Sequence, residues 1–486
     1  MFSKKPDLNI IEESTFEELS KPCQKLVVKA EKGNFKSLVT VAKGFIYGKD
    51  DFPINTNLGL RYLQFGAEKD DTESLKLYGR YLLQGEIIDK NEMEAINILN
   101  SAATKTKNAA VKLELAEILL ANQSFDVNSY ANNNINYPLV KQLYKDAADY
   151  GNLDGITNYA KFCLKEKTNR YGSIERDIAE AFNYFKTAAE LGDSEAMIRY
   201  GKMLECGIPQ FPVNQKEAIK WYKRSYEKEN LGGYAEYGYT LISSEYGKTD
   251  EPEGYRLIKY SSDHGNPIGM FCYGNIYCVG MLCVQQDYQK GFELVKKAAD
   301  MGEPGAIQAI GFYYQEGIYV QKNTITANKY FKLALEEGEI ASAVYLGYAY
   351  KNSGNSSQSR IYFKIGADAG FRDAIYEYCL NLSEDNQKLL YIYEIRKYLE
   401  MGRKLKDGQC ILFLGNLYIK GDLFPQKKYL GEEFVKEAAD NGYIPAMERF
   451  IDMYEKGTDG FTGNPPEVQK YKDILAENQS QCCLLI

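Results

Sequence analysis

Apolar residues recur along this chain at helical intervals. Ala181, Phe182, Tyr184, Phe185, Ala188 and Ala189 close one face of a helix, with polar residues between them. After Gly192 a second stretch, Ala196, Tyr200, Gly201 and Leu204, runs to Gly207. The local prediction is a helix, a tight turn and a second helix. Near-copies of this block place Ala147-Ala148 before Gly151, Ala298-Ala299 before Gly302 and Ala438-Ala439 before Gly442. With Gly192 as register, equivalent positions are Gly33, Asp70, Thr106, Gly151, Glu229, Gly265, Gly302, Gly338, Gly370, Lys406 and Gly442, mostly 36 or 37 residues apart. A register Gly suits the left-handed residue that ends a helix, so Glu229 and Lys406 predict a different turn or some strain. Asp287 and Asn323 read as N-caps of the first helices that follow them.

A second glycine series lies inside the second helices: Gly79, Gly201, Gly238, Gly274, Gly311, Gly347 and Gly415. A mid-helix Gly costs about 1 kcal/mol against Ala, so its recurrence predicts close helix crossings. The polar stretch Asn122 to Asn136 carries the longest interval, 45 residues between Thr106 and Gly151.

These residues resemble the Sel-1-like repeats, relatives of the tetratricopeptide repeats. The family pattern is roughly A-x-x-x-L-G-x-x-Y-x-x-G, a short loop with V-x-x-[DN], then K-A-x-x-Y-x-x-K-A-A-x-x-G. Here it is met by Ala306, Gly311 and Gly317, then Val320-Gln321-Lys322-Asn323, then Ala327, Tyr330 and Lys332. Ala181, Tyr184, Lys186, Ala188 and Ala189 meet it again. The resemblance implies an all-α fold, a right-handed α-α superhelix (solenoid) of about twelve helical-hairpin repeats of ~36 residues. The expected divisions are 1–32 as N-terminal segment and capping helix, 33–480 as repeat solenoid and 481–486 as a prenylation-type tail.

By analogy with the tetratricopeptide groove, the concave face takes the positions 3, 6, 10 and 13 after the register residue. In the unit at Gly192 these are Glu195, Ile198, Lys202 and Glu205. In the middle units they include Tyr239, Phe271, Phe312, Tyr348, Tyr376 and Leu412, an apolar run expected to line a partner groove.

Composition narrows the chemistry. The single histidine, His264, leaves almost no room for Ser-His-Asp, Cys-His or multi-His metal sites. With 59 Lys+Arg against 67 Asp+Glu, the net charge of −8 argues against nucleic acid as a partner. Cys272, Cys278 and Cys283 lack zinc spacing and read as free thiols of a reducing compartment. Nucleotide, kinase, HExxH and EF-hand patterns are missing from the sequence. No catalytic residue, cofactor site or metal ligand is assigned, and the protein is expected not to be an enzyme.

The final residues, Cys483-Leu484-Leu485-Ile486, have the C-a-a-X form of a prenylation site, with Cys482 beside it as a candidate second lipid site. One lipid chain anchors only marginally. The sequence also predicts no secretory leader and no transmembrane helix, hence a cytoplasmic protein on the cytosolic face of a membrane. The leading expectation is a non-enzymatic scaffold or adaptor for a protein partner of unknown identity. The alternatives are a Sel-1-like adaptor of a ubiquitin-ligase or quality-control complex, and a helical-toroid hydrolase using paired carboxylates.

Overall fold

The coordinates are a computed structural model. It describes residues 10–120, 136–165, 167–169, 172–174, 176–207, 211, 213–243, 249–281, 284–463 and 465–483. Among them are 26 α-helices and one short antiparallel hairpin, Lys167–Asn169 with Gly172–Ile174. The helices pair in sequence as hairpins, the first helix of each ending at the register position. Gly192 (φ +101°) turns the chain between Ile178–Glu190 and Ser194–Cys206, and Asp193 N–H donates back to the Ala188 carbonyl. Asp70, Glu229 and Lys406 make the same left-handed turn at φ +63°, +60° and +55°. Strain, rather than a different turn, is therefore the outcome at Glu229 and Lys406, as at Asp70; a residue bearing a Cβ is held there at about 1–2 kcal/mol. Thr106 instead leaves its helix extended, at φ −88° and ψ 140°.

The N-caps Asp287 and Asn323 accept from Lys290 N–H and Thr326 N–H. The mid-helix glycines do mark close crossings. A Cβ built on Gly238 would stand 2.8 Å from the Gly254 carbonyl oxygen, and one on Gly254 would stand 2.6 Å from that of Gly238. At Gly201, Gly311 and Gly347 the space is filled by an aromatic ring from the first helix of the next hairpin, Tyr222, Phe331 and Phe363.

The chain forms two compact units, one of residues 1–124, 128–162 and 167–175, the other of 125–127, 163–166 and 176–486. In the first, helix Lys21–Glu31 pairs with Phe35–Tyr47, and Phe45 packs on Phe52 and Tyr62. In the second, the chain meets itself after a long circuit. Arg176 donates from Nε to the Leu164 carbonyl (2.8 Å) and from Nη2 to the Leu335 carbonyl (2.9 Å), and Lys165 pairs with Glu337. Four hairpins and one further helix, from Ile178 to Glu336, lie between the two ends of this clasp.

Candidate partner-binding face

Second helices of successive hairpins touch one another in the second unit. Ser194–Cys206, Leu231–Ile242 and Pro267–Val279 meet around Gly232, where Ile198 and Ile268 close on the missing side chain. Ile198, Ala235 and Ile268 are buried in one apolar cluster. Several positions assigned by spacing to an open groove thus face the neighbouring repeat.

The six apolar groove residues sit one on each of six consecutive second helices. Tyr239 and Phe312 are exposed, and Phe271, Tyr348, Tyr376 and Leu412 are half-buried. Phe271 lies against Gly305 on the next second helix. Tyr348, Tyr376 and Leu412 pack on the same core cluster; Tyr348 stands edge-on to Phe363 at 5.1 Å and Tyr376 to Phe413 at 5.7 Å. Burial, then Glu377 and Asp373, push the Tyr348 hydroxyl up to about 12. The structure brings these three together and leaves Tyr239, Phe271 and Phe312 on three other helices.

Charge gathers on the same side at Lys202, which spacing placed in the groove, and at four positions that spacing did not single out. Lys202 pairs with Glu236 at 2.7 Å, and both Lys202 and Arg199 approach Glu303 at 3.9 Å. Glu339 lies near enough for the charges of Lys202, Glu303 and Arg199 to act on it. Five side chains from four hairpins thus converge on one recess. Burial alone would lower both bases, but the surrounding carboxylates, Glu303 foremost at Arg199 and Glu236 at Lys202, hold both above their usual values. Burial, followed by the charge of Glu303, raises the Glu339 carboxyl against the pull of the two cations. Cys206, at the edge of this recess, is pushed up to about 12 by burial and then by Glu339 and Glu205. The first unit has its own inter-repeat pairs, Lys76 with Glu114 at 2.6 Å and Lys112 with Asp146.

Arg199 and Glu236 occupy the seventh position after the register residue, outside the groove template. Glu303 and Glu339 occupy the first, where Asp71, Asn152, Asp193, Asn230, Asn266 and Asp407 accept from the helix N-terminus. Glu303 makes no cap bond. A Glu in an Asp/Asn column was the available sequence signal.

Cys272 is buried, Cys278 is half-buried and its sulfur lies 3.2 Å from Tyr313 Oη, and Cys283 lies outside the described residues. Among the described residues no group of three or more His, Cys, Asp or Glu is placed to hold a metal ion. The His264 ring lies tilted against Tyr260 with centroids 4.0 Å apart, and its Nδ1 donates to the Tyr260 carbonyl at the helix end. Helix Pro466–Cys483 runs through Cys482 and Cys483; the side chains of both and all of Leu484–Ile486 lie outside the described residues. No helix among the described residues is long and apolar enough to cross a membrane.

The family described as Sel1 repeat matches at residues 55–81, 72–106, 168–193, 194–230, 267–303 and 304–339. No curated protein matches the chain. Among solved structures, a protective antigen of uropathogenic Escherichia coli strains displaying an SLR fold is similar at 17% identity and TM-score 0.41, over 93% of this chain and 92% of that one. A Sel1 repeat protein from Oxalobacter formigenes is similar at 19% identity and TM-score 0.40, over 71% of this chain and 96% of that one. With its repeated hairpins and left-handed register turns the chain is an α-solenoid, and six of its stretches match the Sel1 repeat.

Proposed function

We propose that the protein is a non-enzymatic scaffold or adaptor that holds a protein partner along the second helices of its second unit. Sel1 repeat proteins generally bind protein partners. The observation that carries the reading here is the series Tyr239, Phe271, Phe312, Tyr348, Tyr376 and Leu412. Six consecutive second helices each keep an apolar side chain that the core does not fully bury. Aromatic side chains that stay partly open yet are held by packing are effective anchors at interfaces.

Changing Phe271, Phe312 and Tyr348 together to Ala separates anchors from core. Anchors leave the thermal midpoint within a few degrees of wild type while partner capture is lost. A drop of ten degrees or more would place these rings in the core and end the proposal.

The same reading tethers the protein to a cytosolic membrane face through an isoprenoid on Cys483, with Cys482 as the second lipid site. The support is the terminal Cys-Leu-Leu-Ile sequence. In eukaryotic cells the wild type is expected in the membrane fraction and Cys483→Ser in the soluble one. Equal partitioning of the two removes the tether.

A further inference from the structure

Resting on the proposal that second helices of the second unit hold a protein partner, we infer that the charged recess takes a basic segment of that partner. A Lys or Arg side chain seats against Glu303 and Glu339, and the segment's backbone meets Arg199.

Four observations lead there. Glu303 stands where most other repeats have a capping Asp or Asn, and its side chain is only 4% exposed. Giving up a cap while burying a carboxylate is costly twice over, so local helix stability does not account for the choice. Secondly, the nearest cations, Arg199 Nη2 and Lys202 Nζ, both stop at 3.9 Å from Glu303, beyond hydrogen-bond reach. The close partner of Lys202 is Glu236 instead.

The third is the sign of the field. Three carboxylates, Glu236, Glu303 and Glu339, face two cations, and Glu195 adds to the field at Arg199. Both bases are held above their usual values by these carboxylates although burial opposes it, and the carboxylates outnumber the cations around them. An added anion is repelled there and an added cation is drawn in. Fourthly, Arg199 Nε is buried without a hydrogen-bond partner, a costly state that a peptide carbonyl relieves. A basic peptide supplies both the missing cation and the missing acceptor. Arg199 and Lys202 keep 25% and 32% of their side-chain surface open, so the recess is reached from solvent.

The test uses the full chain with fluorescein-labelled hexalysine and hexaglutamate, followed by anisotropy. Hexalysine binds and hexaglutamate does not. Glu303→Gln and, separately, Glu339→Gln weaken hexalysine about tenfold or more, as loss of a desolvated charge partner does. Glu251→Gln with Glu293→Gln removes charge from exposed positions on first helices and leaves affinity within about twofold, as expected of screened surface charges. On wild type, hexalysine slows hydrogen exchange in the turns at Glu303 and Glu339, a readout that needs no variant to fold. Equal weakening by recess and control variants, tighter hexaglutamate, or unchanged exchange in those turns overturns the inference. Retained hexalysine binding in Glu303→Gln together with lost partner capture in the aromatic variants discards the recess and keeps the partner-binding face.

Discussion

Gly238→Ala is expected to destabilise the second unit by about 3 kcal/mol, the upper part of the range for overpacking. One methyl group is added, but it points at backbone. The built Cβ lies 2.8 Å from the Gly254 carbonyl oxygen, 3.0 Å from Ile258 Cγ1 and 3.1 Å from Leu257 Cβ. No rotamer change relieves the first contact, so the two helices must separate and loosen the packing around Leu257 and Ile258, both buried. Gly265→Ala provides the contrast. Gly265 has φ +77° and nothing within 4 Å of its built Cβ, so the cost there is conformational only, about 1 kcal/mol. The left-handed turns at Glu229 and Lys406 show that a side chain is accommodated at equivalent positions. Urea unfolding followed by the fluorescence of Trp221, the single tryptophan, reads both variants in the unit that contains them. If Gly265→Ala costs as much as Gly238→Ala, close helix approach does not explain the mid-helix glycines.

The two glycine series show why the fold was legible in the sequence. Most repeats use one residue that turns left-handed and one that lets helices touch, and in most of them these fall on Gly at fixed offsets. Periodicity therefore reported the hairpins, their number and their turns from local chemistry alone. The binding face was less legible because it depends on the angle between successive repeats. The tetratricopeptide offsets placed Ile198 and Ile268 on an open surface, whereas the stacking of second helices buries them around Gly232. The same stacking turns Arg199 and Glu236, at an offset the template omits, toward Glu303. Repeat spacing cannot reveal a contact between residues 104 positions apart, such as Arg199 with Glu303. Only the anomaly at single positions, Glu where Asp or Asn caps, was visible beforehand. The hairpin at 167–174 and the Arg176 clasp also follow no repeat period.

In the first unit the largest expected effect comes from Glu31→Ala. Glu31 is buried at the end of helix Lys21–Glu31, where a carboxylate is unfavourable toward the helix dipole. What holds it there is a set of donors from elsewhere. Its Oε1 accepts from Ile10 N–H at 3.2 Å, Ile11 N–H at 3.4 Å and the Tyr62 hydroxyl at 2.8 Å. Ile10, Ile11 and Tyr62 are themselves buried, and burial followed by the Glu31 charge raises the Tyr62 hydroxyl. Removing the carboxylate strands buried donors in two backbone groups and a phenol, a loss on the order of 4 kcal/mol. Glu31→Gln keeps one acceptor oxygen and loses about half as much. In an array whose repeats are stabilised by their neighbours, this loss stays local. Amide exchange should therefore speed up between Ile10 and Tyr62, while the urea midpoint read by Trp221, five hairpins further along, stays put. An equal shift at Trp221 would mean that the chain unfolds as one cooperative block and that Glu31 is not a local pin for the N-terminal segment.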